Sequence, residues 1–166
     1  MGIDLPLIWA IIIVFGIMMY VVMDGFDLGI GILFPFMKDS SDRDVMMNTV
    51  APVWDGNETW LVLGGAALFG AFPLAYSVVL SALYLPLMFM LMGLIFRGVA
   101  FEFRFKATEE KQHLWDKAFI GGSLAATFFS GRLRWALTFQ GIPVVDRQFA
   151  GGHLDWLSPF PIVPAA

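Results

Sequence analysis

The sequence predicts an all-α, multi-pass transmembrane helix bundle of about four spans, forming a single domain over residues 1–166. Three observations predict it. Apolar residues make up 58% of the 166-residue chain and charged residues 14%, where soluble domains run about 45–50% and about 25%. Mean hydropathy is +0.75, which leaves too little polar surface for a water-facing shell and makes the bilayer the simpler solvent. The apolar residues also gather in runs of span length between charged loops.

The first run, Leu5 to Val22, is one span by length and continues through DGFDLGIGILFPF to Phe36. A helix from Leu7 to Phe36 would be ~45 Å long at ~1.5 Å per residue, against a hydrocarbon core of ~30 Å. It must tilt, break near Gly25 or Gly29, or project past the membrane. KDSSDR at 38–43 reads as a charged loop, followed by a short segment from Asp44 to Val50 that Pro52 interrupts. In VWDGNETWLVLGGAALFGAF the purely apolar part, Trp60 to Phe72, is too short to span. A spanning helix ending near Phe72 must begin around Val53 or Trp54, which carries Asp55, Asn57 and Glu58 to or inside the membrane boundary. Phe72-Pro73 makes a tight turn. Leu74 to Phe96 is the third span, with Pro86 as a kink of the kind membrane helices tolerate. Arg97 to Lys117 reads as a polar, basic loop. Ala118 to Phe129 begins a fourth span, interrupted by GRLRW at 131–135 and resuming as ALTFQGI. Val144 to Trp156 is a polar loop, and LSPFPIVPAA opens another apolar run.

Lys38, Arg43, Arg97, Arg104, Lys106, Lys111 and Lys117 fall in the loops 38–52 and 97–117, on one side, while the N-terminal tip and the Pro73 turn carry no Lys or Arg. The positive-inside rule places those loops in the cytoplasm and the N-terminus outside; Arg132, Arg134 and Arg147 run against it. No positive charge precedes the apolar run from Leu5, and that run is too long for the core of a cleavable signal. With a net charge of −4 and no basic, aromatic-rich patch, nothing suggests a nucleic-acid partner, and none is expected. The absence of Cys removes disulfides, thiolate nucleophiles, Cys-ligated zinc, iron–sulfur clusters and covalent haem attachment.

Two groups of residues could carry chemistry. Asp24 and Asp27, spaced i,i+3, share one helix face. A charged Asp near the centre of a span costs about 2.5–3.5 kcal/mol, and two together repel, which suits proton storage or relay. The same pair could instead cap a break at Gly25 and face the headgroups. Gly29 and Gly31 read as points of close helix approach. The second group, Trp54-Asp55-Gly56-Asn57-Glu58-Thr59-Trp60, packs two acids, an amide, a hydroxyl and two indoles into one short stretch. An interfacial helix start, with Asp55 or Asn57 as N-cap and Trp54 and Trp60 as belt aromatics, accounts for any one of these residues. It accounts less well for the combination, because a cap uses one oxygen. His113 and His153 lie in polar loops and read as surface residues. The Met residues, without a paired His, read as core filler, and no metal site is expected.

In order along the chain, MDGFDLGIG, APVWDGNETWLVLGGAALFGAFP, FRGVAFEFRFK and DRQFAGGHLDWLSPF resemble subunit II of the cytochrome bd-type quinol oxidases, including the cyanide-insensitive branch. WDGN-xx-W following DGFD is the specific part. The resemblance implies a terminal oxidase of aerobic respiration that oxidises quinol and reduces dioxygen to water in the bacterial cytoplasmic (inner) membrane. It implies a partner, subunit I, that carries the b- and d-type haems and the quinol site. This chain would then bind no cofactor and hold no catalytic residue. It would meet lipid and the quinone pool, with quinol a substrate of the complex alone, and would serve assembly and the proton and oxygen routes. Asp55 is similar to the family's proton-path carboxylate, with Glu58 beside it, and Asp24 and Asp27 match its first-span acids. Trp60 looks like the tryptophan near the oxygen route, with Trp54 and Asn57 supporting the motif.

Two features depart from the family pattern. The family chain is longer and has more spans, and this sequence stops where a fifth would start. SGRLRWAL at 130–137 stands where the family shows a Gly-rich apolar stretch close to QG-x-ALGA, and two arginines at the centre of a span would be costly. A local frame error, with the tail PIVPAA in the out-of-pattern segment 160–166 of the same origin and a premature stop, is the expectation for these segments; the chain would then be an inactive fragment. A small proton-coupled transporter using the paired acids is the other reading. Transporters commonly show inverted repeats and a midplane site, and no internal repeat is visible here.

Overall fold

In the computed structural model, which describes residues 4–158, Asp4 caps the first helix, its Oδ1 accepting from Leu7 N at 3.2 Å, with Pro6 in the first turn. From there α1 runs unbroken over Leu5–Leu33. It breaks at neither Gly25 nor Gly29, so Asp24 and Asp27 cap nothing. Pro35 cannot extend the helical ladder, and the chain tightens into a 3₁₀ turn at Phe34–Phe36. The charged segment that follows is mostly helix, α2 (Ser40–Val50). After the turn around Pro52, α3 spans Trp54–Ala71, starting where the length argument requires. Val53 occupies the N-cap with no side-chain bond, so neither Asp55 nor Asn57 is the cap.

Phe72 alone links α3 to α4 (Pro73–Arg104). Pro86 removes the amide that would bond one turn back, and Leu83 leaves helical geometry there at φ −116°, ψ 20°, which is the expected kink. The expected loop 97–117 is corrected: α4 continues through Arg97 to Arg104, and α5 (Glu109–Trp135) begins after a short link. Both arginines are buried. Their charges are met by acids on neighbouring helices, and the stretch FRGVAFEFR contains no residue that stops a helix. A π-helical turn, Ala136–Gln140, extends α5. A small hairpin follows, β1 (Val144–Val145) and β2 (Gln148–Phe149), with Val144 opposite Phe149 and Val145 opposite Gln148. Its two turn residues, Asp146 and Arg147, have φ of 50° and 64°, as a two-residue hairpin turn demands.

The long helices form antiparallel neighbours. On α1 and α3, Gly16 lies against Leu63 while Asp27 meets Asn57, so the two run in opposite directions. The most extensive packing is between α4 and α5, and it depends on two glycines. A Cβ at Gly93 would stand 2.8 Å from the Gly122 carbonyl oxygen, and one at Gly122 would stand 2.6 Å from that of Gly93. Helix backbones come this close only where side chains are absent. One apolar cluster joins Leu28, Leu83, Met90, Leu94 and Ala126, and a second joins Phe34, Met47, Val50, Phe101 and Phe119.

Many large apolar side chains point outward, among them Leu5, Ile11, Val14, Phe69, Ile95 and Phe128. Two helical segments, Leu5–Phe36 and Pro73–Arg104, are long and apolar enough to cross a membrane. The sequence predicts four such spans; α3 and α5 carry too many polar and charged residues to meet the same measure. The segment 160–166 lies outside the described residues. The other out-of-pattern segment, 130–137, falls in the last turns of α5 and the π turn.

Candidate functional site

Three helices meet at a buried cluster of charge. On α1, Tyr20, Asp24, Asp27, Leu28 and Gly31 share the buried face at helical spacing, and both aspartates are fully buried. On α3, Asn57 is buried and Glu58 partly buried, with 23% of its side chain exposed. On α4, Met90, Gly93, Arg97, Ala100 and Arg104 form the inward stripe, and Arg97 is fully buried.

Arg97 is the hub. Its Nη2 donates to Asp24 Oδ1 at 2.5 Å and to Glu58 Oε2 at 3.3 Å. Asn57 Nδ2 donates to Asp27 Oδ2 at 2.8 Å. Three carboxyl groups therefore face one guanidinium. Asp24 Oδ2, Asp27 Oδ1, and Nε and Nη1 of Arg97 are buried with no hydrogen-bond partner among the described residues. Buried charges are ordinarily paired, and this cluster has more anionic groups than cations and spare sites on both sides.

The seven sequence-predicted residues divide accordingly. Asp24, Asp27, Asn57 and Glu58 come together, and Arg97, taken for a loop residue in the sequence, holds them. Its signal was available: Arg97 closes an apolar run and sits seven residues before Arg104, on the same face of one helix. Asp55 does not join. It lies exposed on the first turn of α3, and its carbonyl accepts from Thr59 Oγ1. Trp54 stacks on Phe101 at a centroid distance of 5.5 Å, above Gly98, where a Cβ would stand 3.0 Å from the indole. Trp60 lies edge-on to Phe15 at 5.9 Å.

An apolar cavity of about 320 Å³ adjoins the cluster, lined by Tyr20, Gly25, Leu28, Gly64, Leu83 and Met90 among others. Trp60 does not line it. Arg132, in the out-of-pattern segment, has its guanidinium against the backbone carbonyls of Trp156 and Ser158, so this charge is met by backbone folded beside it. Arg134 is exposed and borders the cavity.

A second set of ion pairs lies at the far end of α4. Arg104 Nη1 donates to Asp44 Oδ1 and Arg104 Nε to Asp116 Oδ1, each at 2.5 Å, and Arg43 Nη1 donates to Asp116 Oδ2 at 3.1 Å.

His113 is exposed on the second turn of α5, its Nδ1 2.7 Å from the Glu110 carbonyl oxygen, and His153 is exposed in the last loop. Neither imidazole faces the cavity, whose lining includes Tyr20 and Met90. Among the described residues no group of three or more His, Cys, Asp or Glu is placed to hold a metal ion.

A family model, cytochrome bd terminal oxidase subunit II, matches residues 5–166. Cytochrome bd ubiquinol oxidase subunit 2 of Bacillus subtilis is 39% identical over 159 residues, covering 94% of this chain and 47% of the relative. Cytochrome bd-I ubiquinol oxidase subunit 2 of Escherichia coli is 34% identical over 163 residues, covering 94% and 43%. A probable cytochrome oxidase subunit 2 of Haemophilus influenzae is 33% identical over 165 residues, covering 96% and 44%. The chain spans a little under half the length of these relatives.

Proposed function

This chain belongs to the cytochrome bd terminal oxidase subunit II family, and we propose that it serves as the non-haem subunit of a quinol:oxygen oxidoreductase in the bacterial cytoplasmic membrane. In this reading it spans the membrane about four times with its N-terminus outside. Lys38, Arg43, Lys106, Lys111 and Lys117 remain at the loop side after Arg97 and Arg104 move into the helix, so the charge bias still favours that side as cytoplasmic. The haem-bearing subunit I is its partner, with quinol oxidised and dioxygen reduced there.

The observation that carries the reading is the fully buried Arg97 set against Asp24, Asp27 and Glu58. Reduction of dioxygen to water consumes protons, and a membrane subunit that supplies them needs carboxyls away from bulk water. Each residue then has a role. Asp55, exposed on α3, collects protons at the cytoplasmic side. Glu58, partly exposed, receives them at its carboxylate. Arg97 stays charged, since a guanidinium does not deprotonate in proteins, and fixes the field. Asp24, bonded to Arg97, is the standing counter-ion. Asp27, held on one oxygen by Asn57, presents its other oxygen for a proton. Trp60 with Phe15, and the apolar cavity beside Tyr20, offer oxygen a path through low-polarity surface. Haem, where bound by subunit I, supplies the electron chemistry; no step in this chain passes through it.

The test is co-purification. The chain, affinity-tagged and expressed with its haem-bearing partner, should carry haem absorbance through purification. A chain that purifies stably without any haem protein, and moves solutes on its own, would refute the oxidase assignment.

A further inference from the structure

We propose that Asp44 is a positioning residue for the buried carboxylate cluster, acting through Arg104 and Asp116; this rests on the reading of that cluster as a proton-holding site. Arg43, Arg104, Asp44 and Asp116 form a charge-balanced group. Arg104 is almost fully buried and donates to Asp44 and Asp116 at 2.5 Å each, and Arg43 reaches Asp116 at 3.1 Å. Arg43 Nε also donates to the Met37 carbonyl at 2.9 Å. Both guanidinium groups lie over the Phe34 ring, at 5.5 and 5.7 Å from its centroid. The group thus fastens the segment after α1, the start of α2, the end of α4 and the first turns of α5 at one point.

The same helices carry the carboxylate cluster. Asp24 and Asp27 lie on α1, Arg97 lies seven residues before Arg104 on α4, and Asn57 and Glu58 lie one turn into α3, which α2 feeds directly. The link from α2 to α3 is stiff. Met47 and Val50 are fully buried in the cluster with Phe34, Phe101 and Phe119, and Trp54, at the start of α3, stacks on that same Phe101. A seven-residue step along α4 is only ~10 Å. A shift of α2 at Asp44 therefore moves Trp54, and with it the amide of Asn57 and the carboxylate of Glu58 relative to Asp27 and Arg97. Asp44 touches none of these groups; it sets where they stand. Its side chain is 47% exposed, so neutralising it leaves Arg104 paired to Asp116 and strands no buried anion.

The experiment uses the assembled oxidase with its full-length subunits. The pH–rate profile of quinol-dependent oxygen consumption is measured for Asp44→Asn, Asp44→Glu and Asn57→Ala, with haem content as the control for assembly. Asp44→Asn should displace the profile in the direction of Asn57→Ala, by about half a pH unit, the size of a modest change in the field at a coupled carboxyl. Asp44→Glu should restore the wild-type profile. Arg43→Gln, which loosens the same group from its exposed side, gives a second variant with the same expectation should Asp44→Asn fail to assemble. Profiles for Asp44→Asn or Arg43→Gln that superpose on wild type overturn the proposal. If Asn57→Ala alone is displaced, the proton-holding reading stands without it; if nothing is displaced, both fall.

Discussion

Arg97 and Asp24 form a salt bridge of 2.5 Å in which both side chains are fully buried, tying α4 to α1 across 73 residues of sequence. A buried pair adds little net stability compared with apolar packing, but removing one partner strands the other charge, at a cost of about 3–5 kcal/mol. Arg97→Leu should accordingly destabilise the assembled oxidase by about that much, read as a lower midpoint of thermal denaturation. Asp24→Asn together with Arg97→Leu should recover part of the loss, since the double variant leaves no unpaired charge at this pair. A double variant as unstable as Arg97→Leu alone would show that the arginine matters through its packing.

Asn57 holds Asp27 Oδ2 at 2.8 Å. Asn57→Ala removes the one donor that this buried carboxyl oxygen has among the described residues, which costs about 1–3 kcal/mol. The expected outcome is a moderate drop in the thermal midpoint with haem content retained. Loss of haem from the complex would point instead to a role in assembly.

Asp55 is exposed and outside the cluster. Asp55→Asn should therefore leave the thermal midpoint unchanged while slowing oxygen consumption, because a collector of protons needs charge and access rather than a fixed partner. Turnover equal to wild type at every pH would remove Asp55 from the route.

The contact of Gly93 with Gly122 predicts a purely steric effect. Gly122→Ala places a methyl group against the Gly93 carbonyl oxygen, and overpacking of this kind costs about 1–3 kcal/mol. The midpoint should fall with the pH–rate profile unchanged. A displaced profile would show that the α4–α5 spacing also sets the field at Arg97.

Length and composition were enough to locate most helices. The start of α3 near Trp54 followed from how many residues a span needs, and the kink before Pro86 from the missing amide. The single-residue turn at Phe72 was marked by Pro73. The end of α4 was harder to read, the seven-residue spacing of Arg97 and Arg104 being its one signal. Arg97 and Arg104 look like loop residues because burial of an arginine is paid for by acids distant in sequence: Asp24 and Glu58 for one, Asp44 and Asp116 for the other. Asp24 and Asp27 were legible as a pair through their spacing, and Asn57 and Glu58 through the density of polar groups around them. That Glu58 reaches Arg97 while Asp55 stays exposed depends on the position of α4 beside α3, which the spacing within α3 does not decide. Family resemblance had pointed to Asp55 first, and the geometry places Glu58 nearer the hub.

The account rests on the carboxylate cluster passing protons toward oxygen reduction, and Glu58 is its partly exposed member in contact with Arg97. The most direct measurement is proton uptake coupled to oxygen reduction by the assembled oxidase in liposomes, comparing Glu58→Gln with wild type at matched haem content. Slowed proton uptake, with oxygen reduction slowed in step, is the expected result. Uptake at the wild-type rate across the pH range would contradict the account.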